Sequence, residues 1–235
     1  PERTARRNDG IVWLASYPKS GNTWFRALLD NAISHQDTPV SINALTVRRG
    51  ITRAQVDALA GVDSSLLLPA ELDTLWPDIH RGFAHTLPAP RVVKTHSALL
   101  PHPAAGFLAP DLSAGALYLV RNPLDVCVSF SHHLGRSLDE TVAIMANEDF
   151  CLLRAGPNWR PSMTERVASW STHVKSWVDN RQLPTLVLRY EDLLDDTAGT
   201  FGKALAFLGL DIPPERITRA IAFSSEMLRD ALSCS

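Results

Sequence analysis

Short apolar runs alternate with amphipathic segments along this chain, and polar residues end or follow four of these runs. Runs of this length and composition are typical of buried parallel strands. The four predicted strands cover residues 11–15, 91–96, 116–120 and 185–189. Strands that alternate with helices favour a parallel sheet covered on both faces. The pattern therefore predicts an α/β protein, a three-layer sandwich around a central parallel sheet.

Amphipathic segments and end signals predict helices between these strands. One helix begins near Trp24, Thr52 to Leu59 form a short capped helix, and Ala198 to Leu208 form a helix that ends at Gly209. Residues 36–89 and 135–161 give weaker patterns, and both stretches could border a substrate pocket. Within the second, the segment 156–159 has the composition of a mobile loop or lid.

A further helix is predicted from a capping-box spacing. Ser162 and Glu165 have this spacing, and they precede apolar residues that recur on one helical face, namely Val167, Trp170, Val174 and Trp177. Tryptophans at helical spacing with valines are typical of a core. We therefore expect Trp170 and Trp177 to pack in the interior and assign them no chemistry.

The run from Ser16 to Trp24 connects the first strand to the first helix and has the composition of a P-loop-like phosphate-binding loop. Gly21 allows a left-handed backbone, and three small polar residues can cap the helix or bind an anion: Ser20, Asn22 and Thr23. Free N–H groups and the helix dipole attract an oxyanion at a helix N-terminus, and Lys19 adds a cation.

Two alternatives compete with this interpretation of the loop. The nucleoside triphosphatase motif Gly-x-x-x-x-Gly-Lys-Ser/Thr does not fit, because Lys19 precedes the glycine and no second glycine has the required spacing. An ordinary strand-to-helix connection remains open on this loop alone.

A second polar segment follows the predicted strand 116–120. Arg121 stands at the strand end, Pro123 is a suitable first residue for a helix, and Ser129 would lie less than two turns into it. A guanidinium and a hydroxyl so placed can converge on one phosphate. Taken alone, the segment is more typical of a loop with a surface arginine.

The third polar segment is Lys94 to His96, at the end of a β-branched run. Open α/β sheets carry their sites at the carboxyl ends of the strands, where these residues are expected. A histidine with an ordinary pKa near ~6.5 can be neutral and accept a proton at physiological pH. Most of the eight histidines are expected to be structural or solvated, including His132 and His133.

Together these segments resemble the sulfotransferases that use 3′-phosphoadenosine 5′-phosphosulfate (PAPS), in particular the cytosolic type. The similar segments are Tyr17 to Trp24, Arg121 to Phe130, and Lys94 to His96. The resemblance implies sulfuryl transfer from PAPS to an acceptor hydroxyl, or less favourably an amine, of a small molecule. Adenosine 3′,5′-bisphosphate (PAP) would be the product nucleotide, and no metal would be required.

The resemblance also implies a role for each matched residue. The expected catalytic residues are His96 as the base, Lys19 as the cation at the leaving oxygen, and Lys94 as an assistant. The donor-binding residues would be Lys19, Ser20, Gly21, Asn22, Thr23, Trp24, Arg121, Ser129 and, by a looser match, Ser224. Within that set, Trp24 would stack on adenine, and Arg121 and Ser129 would bind the 3′-phosphate.

The resemblance extends from Ile11 to about Arg229 and lacks the glycine-rich basic segment that the family usually adds near its C-terminus. We therefore expect a loose tail over residues 1–10 and a single domain over 11–235, without the usual donor-covering segment. The order of lysine and glycine disfavours a nucleotide or sugar kinase, for which Asp125 or Asp192 would be the metal ligand. A catalytically silent nucleotide-binding module remains open.

Composition agrees with one domain, because 235 residues of which 45% are hydrophobic can bury a large core. The apolar runs are too short to span a bilayer, and a net charge of -2 disfavours binding to nucleic acid or to an anionic membrane. Three widely spaced cysteines indicate neither a disulfide framework nor a zinc site, which favours the cytoplasm. Neither the acceptor nor an oligomeric state is specified by the sequence.

Overall fold

Five parallel strands form the central sheet. The computed structural model describes residues 10–34, 36–101, 108–152 and 163–233. The strands are β1 (Val12–Ser16), β2 (Arg48–Arg49), β3 (Val92–Thr95), β4 (Gly115–Val120), β5 (Cys151–Leu152), β6 (Glu165–Arg166) and β7 (Thr185–Arg189). The sheet has the order β2-β3-β1-β4-β7, while β5 and β6 form a separate antiparallel pair. The four predicted strands are thus confirmed.

Helices of the described residues cover both faces of the sheet. Their bounds are α1 (Asn22–Ile33), α2 (Arg53–Ala60), α3 (Pro69–His85), α4 (Pro123–Leu134), α5 (Leu138–Met145), α6 (Trp170–Val178), α7 (Tyr190–Asp195), α8 (Thr197–Leu208) and α9 (Pro214–Ser233). The helices predicted to begin near Trp24, at Thr52 and at Pro123 are confirmed, the first of them from Asn22, as is the one that ends at Gly209.

The helix predicted from Ser162 and Glu165 is wrong at its start. Glu165 lies in β6, paired with Leu152, and α6 begins only at Trp170 with Ser169 as its N-cap. Ser162 lies outside the described residues, as do residues 156–159 and the predicted tail over 1–9. Glu165 lies in a strand despite its capping-box spacing, because it pairs with β5 and its side chain makes the contacts described below.

Alternating residues along the strands form a core on each face of the sheet. Val12 and Leu14 pack on one face with α1, α8 and α9, whereas Trp13 and Ala15 pack on the other with α2, α3 and α6. The prediction that Trp177 packs in the interior is confirmed, because this residue is fully buried and stacks on Tyr118. Trp170 is half-buried against a third apolar cluster. These layers confirm the predicted three-layer α/β sandwich.

Parallel pairing brings the polar strand ends to one edge of the sheet. Ala15 is in register with Thr95, and Ser16 with Leu119. The segments that follow β1, β3 and β4 therefore leave the sheet side by side. Cys127 and Cys151 are both free, and Cys234 lies outside the described residues. None of the described helices combines the length and the apolar character that crossing a bilayer requires.

Candidate functional site

The loop between β1 and α1 reaches the helix through two left-handed residues, Lys19 with φ 68° and Gly21 with φ 93°. Gly21 is the N-cap and has no side chain, so the predicted capping by Ser20, Asn22 or Thr23 does not occur. The Asn22 amide instead donates to the Leu14 carbonyl at 3.2 Å and to the hydroxyl of Ser16 at 3.1 Å. The first turn of α1 is therefore left without a side-chain cap, which suits an anion.

Tyr190, at the start of α7, packs directly on this loop. A Cβ atom at Gly21 would lie 2.5 Å from Cδ2 of Tyr190, so only glycine fits there without movement. Trp24 meets the edge of the same ring, with centroids 5.8 Å apart, and is itself almost fully buried in the core. Sequence analysis did not include Tyr190 among the candidate site residues.

The contact between Gly21 and Tyr190 predicts a large cost for Gly21→Ala. Both the positive φ and the clash oppose alanine, and we expect a loss of about 2–4 kcal/mol in unfolding free energy. Gly61→Ala is a matched control, because Gly61 has φ 71° and an added Cβ would meet no atom of the described residues beyond its chain neighbours within 4 Å. We expect that control to lose only about 1 kcal/mol in urea titrations. Equal losses would contradict the close packing of Tyr190.

Arg121 joins the end of β4 to the loop after β1. Its Nη1 donates to the Lys19 carbonyl at 3.1 Å, and its guanidinium lies 4.4 Å from the ring centre of Tyr190. Among the described residues, the buried Nε of Arg121 has no acceptor. Burial, and then the charge of Arg121, lower the pKa of Lys19. Two neighbouring cations with an unsatisfied donor form an environment that favours an anion.

A cleft of about 340 Å³ opens beside Arg121. It is lined by Val120, Arg121, Asn122, Pro123, Trp170, Arg189 and Glu191. The Asn122 side chain caps α4 by accepting from the Leu124 N–H at 2.9 Å. Ser129 lies half-buried in the second turn of that helix, as predicted from the position of Pro123. The cleft gives the Arg121 side of the site room for a ligand.

His96 follows β3 and bonds to the end of β1. Its Nδ1 lies 2.7 Å from the Ser16 carbonyl, and because a carbonyl only accepts, Nδ1 carries the proton. The lone pair of Nε2 is then available as a base. Burial first, and then the charge of Lys94, lower the pKa of His96 to about 3, so the ring is neutral at physiological pH.

The backbone of His96 is held on both sides. Its N–H donates to Oε1 of Glu165 at 2.8 Å, and its carbonyl accepts from Nε2 of His173 at 3.1 Å. His173 is buried, with its pKa lowered by burial to about 3, and its Nδ1 accepts from the Tyr118 hydroxyl at 2.9 Å. Sequence analysis did not identify Glu165, His173 or Tyr118 as neighbours of the candidate base.

Ser224 is the candidate that the structure places away from the loop. It is fully buried between α9 and α1, where its hydroxyl donates to the Ala220 carbonyl at 2.7 Å and accepts from the Asn31 amide at 3.3 Å. A hydroxyl with both partners inside a helix interface has no open side for a nucleotide. We therefore leave Ser224 out of the proposed site.

These features define a class of protein: an α/β protein with an uncapped helix N-terminus, adjacent cations and a neutral histidine at one edge of its sheet. Such a site can bind a phosphorylated ligand and accept a proton near it. A family model for the sulfotransferase domain matches residues 9–229. The chain therefore belongs to the sulfotransferase family.

Curated relatives agree with this assignment. Sulfotransferase 1B1 of Canis lupus familiaris is 28% identical, over 97% of this chain and 69% of the relative. Cytosolic sulfotransferase 14 of Arabidopsis thaliana is 29% identical, over 91% of this chain and 58% of the relative. The chain thus spans only about three fifths to two thirds of the length of these relatives.

Solved structures show the same fold. Mouse sulfotransferase SULT7A1 complexed with PAP has a TM-score of 0.58 at 19% identity, over 94% of this chain and 65% of the other. Retinol dehydratase in complex with androsterone and inactive cofactor PAP has a TM-score of 0.55 at 22% identity, over 92% and 64%. At these identities the likeness concerns the fold.

Proposed function

We propose that this protein transfers a sulfuryl group from PAPS to a hydroxyl, or less favourably an amine, of a small-molecule acceptor. One observation carries the proposal: the cations Lys19 and Arg121 and the unprotonated Nε2 of neutral His96 occupy the same edge of the sheet. Membership of the sulfotransferase family selects this chemistry from the others that such a site allows.

The residues present fit the donor. The buried Ser20 hydroxyl and the buried Nε of Arg121 have no partner among the described residues, and each needs an acceptor such as a phosphate oxygen. The N–H groups at the start of α1, with Ser20, Gly21, Asn22, Thr23 and Lys19, would hold the 5′-phosphate. Arg121 and Ser129 would hold the 3′-phosphate, and Trp24 would contact adenine.

In the proposed reaction, the acceptor oxygen attacks sulfur in line with the bond between sulfur and the 5′-phosphate oxygen. The acceptor proton passes to Nε2 of His96 as the new oxygen–sulfur bond forms and the old one breaks. Negative charge then develops on the leaving phosphate, where Lys19 would stabilise it and Lys94 would orient the transferring group. PAP leaves as the product nucleotide.

The class of acceptor and the location in the cell are proposals that the related proteins support. Retinol dehydratase has been solved with retinol and with androsterone, so a small apolar alcohol is the first class of acceptor to screen. The cysteine pattern and the name of the Arabidopsis relative favour the cytoplasm. Among the described residues, no group of His, Cys, Asp or Glu is arranged to hold a metal.

Calorimetric titration tests the donor site. We expect PAP to bind at least about tenfold more tightly than 5′-AMP, because the 3′-phosphate adds charged hydrogen bonds worth about 1.5–3 kcal/mol. Tighter binding of ATP with Mg²⁺ would contradict the proposal and favour a kinase. PAP binding without turnover of any screened alcohol, phenol or amine would favour the catalytically silent module instead.

A further inference from the structure

Glu165 lies in β6, outside all three segments that sequence analysis singled out for the site, yet its carboxylate contacts three consecutive residues at the end of β3. Oε1 accepts from the His96 N–H at 2.8 Å and from the Thr95 hydroxyl at 3.3 Å. Oε2 lies 3.6 Å from Nζ of Lys94, and both side chains are largely buried, with 18% and 16% exposed. One carboxylate thus holds the proposed base and its neighbouring cation together.

These contacts constrain His96 and Lys94 in different ways. Three hydrogen bonds hold His96. Its backbone N–H donates to Glu165, its carbonyl accepts from His173, and its Nδ1–H donates to the Ser16 carbonyl. The ion pair fixes where the Lys94 ammonium lies, and a largely buried pair is screened less by water than an exposed one. Small displacements of catalytic groups cost large factors in rate.

We propose that Glu165 is a positioning residue for His96 and Lys94. Its carboxylate holds His96 in the orientation in which Nδ1 bonds to the Ser16 carbonyl, and it holds the Lys94 ammonium by an ion pair. The role rests on the proposed function in one respect, that His96 and Lys94 serve sulfuryl transfer. The contacts themselves do not depend on that reaction.

Two substitutions separate the two contacts. Glu165→Gln retains an oxygen that can accept from His96 and Thr95 but loses the ionic hold on Lys94. Glu165→Ala loses both. We expect kcat to fall about three- to tenfold for the glutamine variant and about 30- to 100-fold for the alanine variant. The dissociation constant of PAP should stay within about twofold of the parent for both, since the polar contacts of Glu165 described above go to the end of β3 and not to the proposed donor loop.

A matched control and a double-mutant cycle exclude a general loss of structure. Glu140→Gln alters a capping-box glutamate at the exposed start of α5 and should leave kcat unchanged. In the Lys94→Ala background, Glu165→Gln should cause no further loss of kcat, because the partner of its lost charge is gone. The proposal would be overturned if Glu165→Gln lowered kcat by the same factor in the Lys94→Ala background as in the parent. An unchanged kcat in Glu165→Ala would also overturn it.

A measurement without turnover keeps the proposal separate from the proposed function. In protein labelled with ¹⁵N-histidine, the His96 ring, assigned from the signal missing in His96→Gln, should show the tautomer protonated at Nδ1. Glu165→Ala should produce mixed tautomers or a faster exchange of that proton. If the parent chain turns over no acceptor, the reaction is wrong, but the tautomer experiment still decides the role of Glu165. An unaltered His96 signal in Glu165→Ala would show that it does not position the base.

Discussion

His96→Ala is expected to lower kcat by about 10²-fold, the lower end of the usual contribution of a positioned general base, because a histidine whose pKa is lowered to about 3 is a weaker base than an ordinary one. The affinity for PAP should change less than about twofold, because His96 bonds to Ser16 through Nδ1 and does not belong to the uncapped turn of α1. Single-turnover rates and calorimetric titration would separate the two effects. A loss of PAP affinity as large as the loss of kcat would contradict the assignment of His96 as the base.

The pH dependence of turnover gives a second measure of the same residue. With its pKa lowered to about 3, His96 stays neutral as the pH falls from about 7 to about 5, so it should produce no acid limb in that range. A histidine with its ordinary pKa would lose most of its base form there. An acid limb near ~6.5 that vanishes in His96→Ala would contradict the buried, neutral ring described above.

The unfolding free energy must be measured along with the turnover rate, because the burial that lowers the pKa of His96 also makes the stability of the protein sensitive to acid. His96 and His173 both have pKa values lowered to about 3, whereas an unfolded histidine binds a proton below ~6.5. The unfolded state therefore binds protons that the native state does not bind, and the unfolding free energy falls as the pH drops below ~6.5. His132→Ala is a suitable control for both measurements, since His132 is exposed in the last turn of α4.

The strands and the polar strand ends could be predicted because their signals are local. An apolar run such as residues 11–15 can be buried in few ways, and the residues after it must leave the sheet at its carboxyl end. Lys19, Arg121 and His96 each follow or end such a run, so their approach to one another follows from the parallel topology. The register of β1 with β3 and β4 fulfils that expectation.

The partners of these residues could not be predicted, because each comes from a distant segment whose local pattern indicates something else. His173 lies among apolar residues of a helix, a pattern that predicts a core position. Only the folded structure brings it to the carbonyl of His96. Glu165 has the spacing of a helix cap but lies in a strand. Ser224 shows the opposite case, since a match to the family segment placed it at a nucleotide and helix packing buries it.

Arg121→Ala is expected to weaken PAP binding by about 10- to 100-fold and 5′-AMP binding by much less, because only PAP carries the 3′-phosphate. The magnitude corresponds to charged hydrogen bonds worth about 1.5–3 kcal/mol. Some loss for 5′-AMP is also expected, since Arg121 bonds to the Lys19 carbonyl and packs on Tyr190. The ratio of the two losses, measured by calorimetry, therefore isolates the contribution of the 3′-phosphate.

Arg189→Ala is the matched control for this prediction. Arg189 lines the same cleft as Arg121, but its guanidinium lies 3.0 Å from Asp192 and 3.9 Å from Glu191, and the side chain is 62% exposed. A guanidinium already paired and hydrated has less to gain from a phosphate than Arg121, whose buried Nε has no acceptor among the described residues. We expect Arg189→Ala to alter PAP affinity less than about threefold. Equal losses in the two variants would mean that general positive charge in the cleft, rather than the geometry of Arg121, attracts the nucleotide.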